Sequence, residues 1–457
     1  MKRQPQAVII GGGFAGLSAA VALCRRGIGV TVLEQRPELG GRAYSFIDDQ
    51  TGDTVDNGQH VMMGCYEQAL SFLNTIGAAN ELVFQENMTV EMRAPTGARG
   101  TLRAARLPGP AHMAQAVMRY TLLSLSERVA LLIGGARMLA MQRLERALLD
   151  SLSVSALMDR LSQSDNARRV FWYPLTIATL NEEPARASAA LLAEVLRRAF
   201  FGRRRNSAFV YANVGLSELY CRPSKSYIER NGGAVMTHAA VSAIELNGDG
   251  RAAKIRLRDG SAIEADYFIS AVPWGALLRM LPSAIAESRF FSRLNQLSYS
   301  PIICAHLWLD RRVIDAPFVG FIDTTTQWLF NKDVIWAGRE ERAPSHLSFV
   351  ISGARTLVDR PNQELADQVL SDLNVMIPQS RTATVLKTLL IKEKHATMAP
   401  APESCAIRPT CVTPLDNLFL AGDWVQTGLP ATIESAVTAG HSAAAALAAR
   451  AGLQAAA

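Results

Sequence analysis

The chain has 457 residues and a formal net charge of +6, and 49% of its residues are hydrophobic against 19% charged. This composition excludes an intrinsically disordered chain and, at roughly 150 residues per domain, predicts an ordered protein of two or three domains. The six cysteines form no Cys-x-x-Cys pair, which argues against a zinc site or a disulfide framework and is typical of a reducing compartment. With no apolar run of about 18 residues, no membrane-spanning helix is predicted, and no nucleic-acid-binding motif occurs.

The first element is a predicted apolar strand that runs into Gly11-x-Gly13-x-x-Gly16, followed by a helix and a second strand ending at Glu34. Strand, glycines, helix, strand and acid in this order predict a site for an adenine dinucleotide. Gly11 permits the tight turn, Gly13 lets the backbone approach a pyrophosphate, and Gly16 lets helix and strand pack closely.

The amides at the start of this helix, which include those of Phe14 and Ala15, are predicted to face the phosphates. Glu34 follows the last glycine by 18 positions, near the expected spacing, and is predicted to accept the ribose hydroxyls beside Gln35. The alternative is a chance glycine-rich turn.

A second glycine motif follows at Gly40-Gly41-Arg42. Paired glycines allow close backbone approach, and Arg42 supplies a fork for phosphate oxygens. The motif resembles the second phosphate-contacting motif of FAD proteins of the amine oxidase and phytoene desaturase superfamily. The resemblance implies FAD rather than NAD as the cofactor, whereas on its own the motif would pass as an ordinary turn.

The central elements are predicted from periodicity and turn signals. A helix is predicted over 65–77, strands with a hairpin over 83–106, and a helical region over about 110–196. A strand near 232–235 is followed by a meander with turns at 247–248 and 259–260, then by a strand over 267–272, and further strands are expected over 300–350. Resemblance to the superfamily puts Val241 at a backbone contact to adenine, although a plain strand valine is an equal alternative.

The last motif is a strand and turn over 417–424 that contains Gly422 and Asp423, after which Pro430 opens a terminal helix. In related proteins this acid binds a ribityl hydroxyl or lies by the pyrophosphate, whereas the alternative is a turn acid or helix cap. The start of the helix, Ala431-Thr432-Ile433, is expected to point its positive end at the flavin pyrimidine ring.

These elements predict an α/β fold, with a Rossmann-type dinucleotide-binding domain and an inserted substrate domain of mixed helix and sheet. The resemblance to the superfamily implies that the first domain binds FAD and is of the glutathione-reductase-like, amine oxidase type. The discontinuous FAD-binding domain is expected over 1–105, 222–275 and 395–457. The substrate domain is expected over 106–221 and 276–394.

Further strings resemble a narrower family, the squalene-associated FAD-dependent desaturases, which include the hydroxysqualene dehydroxylases of bacterial hopanoid synthesis. The strings are Asp56-Asn57-Gly58-Gln59-His60, Gly64-Cys65-Tyr66, Leu180-Asn181 with Ala187-Ser188, Lys392-Glu393-Lys394-His395-Ala396-Thr397, and Ala421-Gly422-Asp423-Trp424 with Thr427 to Ala436. His395 departs from the pattern, which has arginine there, and this puts a phosphate-side role for it in doubt.

The resemblance implies that the hydroxyl of hydroxysqualene, a C30 allylic alcohol, is replaced by hydrogen to give squalene. Departure of the hydroxyl would leave an allylic cation that hydride from reduced flavin quenches. Such a site needs a proton near the leaving oxygen and an apolar, water-poor cavity. The sequence shows no second glycine-rich nucleotide site, so a separate electron donor is expected.

The loop with Gly58, Gln59 and His60 is implied to lie beside the flavin. His60 is the candidate acid, since imidazolium can donate a proton near neutral pH, although a hydrogen-bonded structural histidine is the commoner case. Gln59 is a candidate for catalysis or for a hydrogen bond to the flavin. Tyr173, Asn181 and Trp424 are further pocket candidates, each of which is more often a packing residue.

The segment Arg197 to Arg205 places Phe200 and Phe201 among five arginines. Phenylalanine can enter a membrane interface while arginine pairs with anionic headgroups, so peripheral membrane contact is one interpretation and a solvated basic loop the other. The protein is expected in the cytoplasm, with contact at the inner face of the cytoplasmic membrane left open.

Three other functions share this fold. A carotenoid (phytoene-type) desaturase would run oxidatively, and the Asn-Gly-Gln-His segment argues against it. A flavin amine oxidase is less favoured because Trp424 has no evident aromatic partner for an amine. A non-catalytic lipid escort is the third alternative.

Overall fold

The computed structural model describes residues 4–336 and 344–453. Its first layer is a parallel sheet of five strands, which in spatial order are Ala234–Met236, Gly29–Leu33, Gln6–Ile10, Tyr267–Ser270 and Leu418–Leu420. These strands are short apolar runs, as expected for a sheet covered on both faces. The carboxyl end of the central strand leads directly into Gly11.

Two helices pack on one another against this sheet. All 11 residues of Phe14–Cys24 are buried, and the terminal helix Ile433–Arg450 lies beside it. Small residues allow this approach, because a Cβ atom added to Gly440 would lie 2.4 Å from the Ala15 carbonyl oxygen. The helix Phe14–Cys24 and the terminal helix therefore pack side by side although they lie far apart in the sequence.

The second layer is a seven-stranded sheet in the order Val385–Met398, Tyr299–Leu309, Ser345–Ser352, Trp328–Asn331, Phe318–Phe321, Thr89–Arg93 and Arg99–Arg103. Its pairings are antiparallel except between Phe318–Phe321 and Thr89–Arg93. The helix Asn362–Met376 packs on part of this sheet, and helices between residues 111 and 199 share a hydrophobic core with another part.

Three small sheets complete the strands: Val241–Leu246 with Ala252–Leu257 and Ala262–Glu264, Ser45–Ile47 with Thr54–Asp56, and Met62–Met63 with Phe209–Ala212 and Leu82–Phe84. The other α-helices are Glu67–Thr75, Ala111–Met118, Leu125–Leu144, Arg146–Ser151, Val154–Arg160, Asp165–Ala167, Tyr173–Leu180, Ala189–Ala199, Arg204–Ser207, Arg222–Arg230, Trp274–Met280, Ser283–Ala286, Arg289–Ser292, Lys332–Ile335 and Ser404–Ile407. Shorter 3₁₀ or π turns lie at Ala79–Glu81, Arg168–Trp172, Ser217–Cys221, Arg293–Gln296 and Pro378–Thr382.

The predicted α/β fold is confirmed, and so are the glycine turn, the meander and the terminal helix. One boundary was wrong: the terminal helix begins at Ile433 with Thr432 as its cap, so Pro430 lies outside it. Within the expected cofactor stretch 1–105, Thr89–Arg93 and Arg99–Arg103 pair into the seven-stranded sheet. The domain division stays a prediction.

All six cysteines are free thiols. Within residues 4–336 and 344–453, no helix combines the length and the apolar character needed to cross a bilayer.

Candidate active site

A cavity of about 810 Å³ runs from the glycine turn into the space between the seven-stranded sheet and the helices. Its size lies within the usual range for small-molecule sites. The predicted cofactor residues that line it are Gly11, Gly13, Phe14, Ala15, Glu34, Gln35, Gly41, Arg42, Gly58, Gln59, Val241, Gly422, Asp423, Ala431, Thr432 and Ile433. The structure therefore brings motifs from both ends of the chain to one wall.

Gly16 is not on that wall, and its position explains why it is glycine. A Cβ atom there would lie 1.9 Å from the Gly11 carbonyl oxygen, so any side chain would push the helix off the turn. Gly13 and Gly41 instead face one another, since a Cβ on Gly41 would lie 3.3 Å from the Gly13 Cα. Together the facing glycines leave a groove walled by backbone.

Tyr220 holds the two glycine motifs together. Its ring stacks on Phe14 with centroids 3.6 Å apart, and its hydroxyl oxygen lies 2.7 Å from the Gly40 carbonyl and 2.8 Å from the Ala43 carbonyl. Its single proton is shared between these two acceptors. No local pattern in the sequence indicates this role for Tyr220, because its partners lie about 180 positions away.

Glu34 is 5% exposed, and both of its carboxylate oxygens accept backbone bonds. Oε2 accepts from the Gly12 amide at 2.9 Å and Oε1 from the Arg36 amide at 3.0 Å. Glu34 thus fixes the loop itself, while each oxygen keeps a lone pair that a ribose hydroxyl can use.

Arg42 and Asp423, predicted separately as phosphate and ribityl contacts, form an ion pair with each other at 2.6 Å. Arg42 also donates to the Ala396 carbonyl at 2.9 Å, and Asn57 Nδ2 donates to the Arg42 carbonyl at 2.8 Å. Arg42 therefore links the second glycine motif to the carboxy-terminal turn and to the Asn57–His60 loop.

The terminal helix carries a second link that the sequence analysis did not assign. Thr432 accepts from the Ser435 amide at 3.2 Å as the helix cap. The buried Glu434 reaches out of the helix and accepts from the amides of Gln68 and Ala69, at 3.0 and 2.8 Å. These amides lie at the start of the helix Glu67–Thr75, where a carboxylate is electrostatically favoured.

His60 is placed in the cavity wall, with Nδ1 2.8 Å from the Gly58 carbonyl. Burial lowers the pKa of His60, which favours a neutral ring. A carbonyl can only accept, so the single ring proton sits on Nδ1 and Nε2 is left as an acceptor. This geometry disfavours the imidazolium acid expected from the sequence.

The neighbouring Gln59 also lines the cavity, and its Oε1 is buried with no hydrogen-bond partner in the described part of the chain. An orphaned buried oxygen is uncommon and costs free energy unless a ligand satisfies it. Its position on the cavity wall fits a ligand donor such as a flavin ring N–H.

A buried ion pair lies beneath this loop. Lys332, fully buried, donates to Asp56 at 3.0 Å, and His306 Nε2 lies 3.1 Å from the Asp56 carbonyl oxygen. Burial and the charge of Lys332 lower the pKa of His306 to about 3, so His306 is neutral at physiological pH. The sequence singled out Asp56 but missed Lys332 and His306, because their partner lies more than 240 positions away.

Beyond the loop, the cavity becomes an apolar chamber. Its walls include Val90, Met92, Phe171, Leu175, Phe318 and Phe330. Tyr120 and Tyr66 are phenols in this wall; Tyr120 donates to the Val170 carbonyl at 3.0 Å. Burial raises the pKa of Tyr66 far above 10, and nearby Cys65 and Glu434 raise it further, so its hydroxyl stays protonated.

Of the other pocket candidates, Tyr173 is not among the residues that line the cavity, whereas Asn181 and Trp424 are. Asn181 donates to Thr397 Oγ1 at 2.8 Å and accepts from the Gly353 amide at 2.8 Å, and Trp424 Nε1 donates to the Val272 carbonyl at 3.1 Å. The side chains of Asn181 and Trp424 therefore connect separate segments of the cavity wall by hydrogen bonds. His395 is exposed and packs its ring against Tyr299, with centroids 4.4 Å apart.

The arginine-rich segment differs from the expectation for membrane insertion. Phe200 is only 7% exposed and lines the chamber. Arg197 and Arg198 pair with Glu194 at 2.6 Å. Phe200 is therefore not an exposed anchor, and membrane contact through this segment stays a prediction.

The groove fits an adenine dinucleotide with a flavin ring. Backbone without side chains faces it at Gly13 and Gly41, a helix N-terminus opens onto it, and an acid lies at the end of the second strand. Gln59 offers an unpaired oxygen at the other end.

Comparison with known proteins agrees with this fit. Residues 14–448 match the family described as flavin containing amine oxidoreductase. The chain is 29% identical over 438 residues to a hydroxysqualene dehydroxylase of Rhodopseudomonas palustris, covering 95% of this chain and 96% of that protein. It is 27% identical over 444 residues to a 15-cis-phytoene desaturase of Solanum lycopersicum, covering 95% and 76%.

Solved structures show the same fold. An oxidoreductase from Methanosarcina mazei superposes with a TM-score of 0.75 at 18% identity, covering 95% of this chain and 98% of that chain. Cyclohexylamine oxidase from Brevibacterium oxydans superposes with a TM-score of 0.70 at 17% identity, covering 98% and 100%. The chain is an FAD-dependent oxidoreductase that belongs to the flavin containing amine oxidoreductase family.

Proposed function

We propose that this protein reductively removes the hydroxyl of hydroxysqualene, a C30 allylic alcohol, to give squalene in hopanoid or squalene biosynthesis. The observation that carries the proposal is the apolar chamber, which opens without a break into the cofactor groove. A long hydrocarbon is favoured there, at about 25 cal/mol per Å² of apolar surface removed from water. The relatives named hydroxysqualene dehydroxylase, 29% identical over nearly their whole length, support the substrate class.

The reaction needs one hydride and one proton. Reduced FAD would supply the hydride when bound. The carbon–oxygen bond breaks with its electron pair on oxygen, the oxygen takes the proton and leaves as water, and hydride forms the new carbon–hydrogen bond. A separate electron donor must then reduce FAD again.

The first task of the protein's own residues is to bind the hydroxyl group of the substrate. We assign neutral His60 as a positioning group whose Nε2 accepts a hydrogen bond from the substrate hydroxyl, which keeps its proton. Tyr66 is a second wall residue with a protonated hydroxyl, and we assign it as the donor to the leaving oxygen. This division replaces the single acid expected at His60.

The chamber walls would protect the allylic cation. Water is excluded by their apolar side chains, and aromatic faces at Phe171, Phe318 and Phe330 attract positive charge. None of the six wall residues named for the chamber, Val90, Met92, Phe171, Leu175, Phe318 and Phe330, carries a charged side chain.

The test is an anaerobic incubation of the holoprotein with dithionite and hydroxysqualene, followed by mass spectrometry. Squalene formation supports the proposal. A carotenoid desaturase is the second candidate, because 15-cis-phytoene desaturases match 95% of the chain. Consumption of phytoene with hydroxysqualene untouched would establish that alternative, whereas a flavin that cannot be reduced would favour a lipid escort.

We also propose peripheral contact with an anionic membrane, since hydroxysqualene partitions into lipid. The supporting feature is the outer face of the helix Leu125–Leu144, where Leu125, Val129, Ile133 and Leu144 are 44 to 82% exposed. At about 100° per residue these four fall on one stripe, and the exposed Arg137 and Arg143 flank it.

This helix lies over the chamber. Phe201 packs on Gly135 of the helix, while the adjacent Phe200 lines the chamber. The protein would then act at the inner face of the cytoplasmic membrane. V129D/I133D should weaken sedimentation with anionic vesicles, and V375D, at a 42% exposed site on another helix, is the matched control. Equal binding by both variants would contradict contact through this face.

A further inference from the structure

Arg408 is a buried cation directly behind the carboxy-terminal turn, and it was not singled out by the sequence. It is 5% exposed. Its guanidinium donates to the carbonyl oxygens of Leu429, Asp423 and Val425, at 2.6, 2.9 and 2.6 Å. Weaker bonds reach the Trp424 carbonyl at 3.4 Å and the Ser435 hydroxyl at 3.3 Å.

None of these five acceptors carries a formal charge. The Asp423 carboxylate, which interacts electrostatically with Arg408, is instead bound to Arg42 at 2.6 Å. Cys405 also contacts the guanidinium, but burial raises the pKa of this thiol and keeps it neutral. Two guanidiniums therefore lie at this turn with one carboxylate, which is bound directly to Arg42 only.

The position of this charge is unfavourable for the protein alone. Burying a guanidinium away from water is unfavourable even when it is well hydrogen-bonded. Arg408 also contacts Ser435, in the first turn of the terminal helix, where the helix dipole is positive and a cation is disfavoured. Both costs fall if negative charge binds on the other side of the turn.

The other side of the turn is the cofactor wall. Asp423 and Trp424, whose carbonyls bind Arg408, line the cavity, as do Ala431, Thr432 and Ile433. FAD gains electrons on reduction, so a fixed positive charge behind this wall stabilises the reduced form more than the oxidised form.

We propose that Arg408 is a positioning residue with an electrostatic role: it fixes the Asp423–Ser435 turn by hydrogen bonds and raises the reduction potential of the bound FAD by its charge. The proposal rests on FAD dependence and stands whether or not hydroxysqualene is the substrate. Arg42 is bound to the Asp423 carboxylate but lines the cavity, where it would contact bound FAD, whereas Arg408 acts through the turn.

The first test separates charge from hydrogen bonding. R408K keeps the positive charge but loses the planar array of N–H donors of the guanidinium, and R408Q loses the charge. The potential of bound FAD is measured by spectroelectrochemical titration, and FAD affinity by fluorescence. R408Q should favour reduced FAD at least tenfold less than the natural protein, a shift of about 30 mV to lower potential for a two-electron couple. R408K should weaken FAD binding but keep the reduction potential of bound FAD within about 30 mV of that of the natural protein.

A second pair of variants leaves Arg408 in place, in case R408Q does not fold. Cys405 is half-buried beside the guanidinium and does not line the cofactor cavity. C405D adds a carboxylate there, and C405N is its neutral isostere. The reduction potential of bound FAD should be lower in C405D than in C405N by the same shift, about 30 mV. Equal potentials in these two variants, or in R408Q and R408K, would overturn the electrostatic role.

Discussion

The buried pair Lys332–Asp56 offers the sharpest prediction of stability. K332M removes the ammonium but keeps most of the side-chain length. It leaves the Asp56 carboxylate, whose side chain is 4% exposed, without a counter-charge. Breaking one partner of a buried pair costs about 3–5 kcal/mol. Asp56 still accepts from Ser45 Oγ at 2.9 Å and from the Leu216 amide at 3.0 Å, so we expect the lower end, about 3 kcal/mol.

The assay is equilibrium urea unfolding of the holoprotein at a fixed excess of FAD, followed by circular dichroism. K394M is the control, because Lys394 and Asp359 also pair, at 2.6 Å, but are 61% and 77% exposed. An exposed pair should contribute no more than about 1 kcal/mol. The double variant D56N/K332M removes both charges and should lose less than the sum of the single variants. Equal losses in K332M and K394M, or additive single losses, would refute the reasoning.

Three further predictions concern the cofactor site. G16A should abolish FAD binding in a fluorescence titration, since its Cβ would lie 1.9 Å from a backbone oxygen, whereas G248A, with open space around it, should bind normally. Y220F keeps the ring stack but removes the Tyr220 donor from the Ala43 carbonyl, while the Gly40 carbonyl still accepts from the Ala43 amide; we expect a loss of about 1–3 kcal/mol in urea and weaker FAD binding, and unchanged affinity would contradict its bridging role. Because burial lowers the pKa of His60, its ring should be neutral and the single-turnover rate should stay constant between pH 7 and 9. At lower pH the rate should fall as Nε2 takes a proton. A rate that instead falls near pH 7 as the pH rises would show that His60 acts as an imidazolium acid.

Local signals in the sequence were sufficient for much of the fold. The Gly11–Gly16 turn, the 241–264 meander and the Leu418–Leu420 strand depend on neighbouring residues, and all three occur as predicted. Glycine, turn dipeptides and apolar periodicity act over a few positions, so they can be recognised without the tertiary structure. The start of the terminal helix was the exception, because Thr432 caps it more effectively than Pro430 could begin it.

The candidate site was only partly predictable for a related reason. Sequence motifs identified residues that present backbone or a side chain to the groove, such as Gly13 and Arg42. They did not identify what holds those residues in place. Tyr220, Glu434 and Arg408 carry ordinary side chains in unremarkable surroundings, and their roles depend on hydrogen bonds to distant parts of the chain or around a closed turn.

By itself, therefore, the sequence determined the Rossmann-type turn, the FAD motifs at both ends and the family. Only the tertiary structure decided the protonation of His60, the pairing of Arg42 with Asp423, and the opening of an apolar chamber into the cofactor groove. The physical reason is that burial and charge pairing are properties of groups brought together from distant positions. A local pattern fixes which groups are present, whereas the fold sets their environment and thus their chemistry.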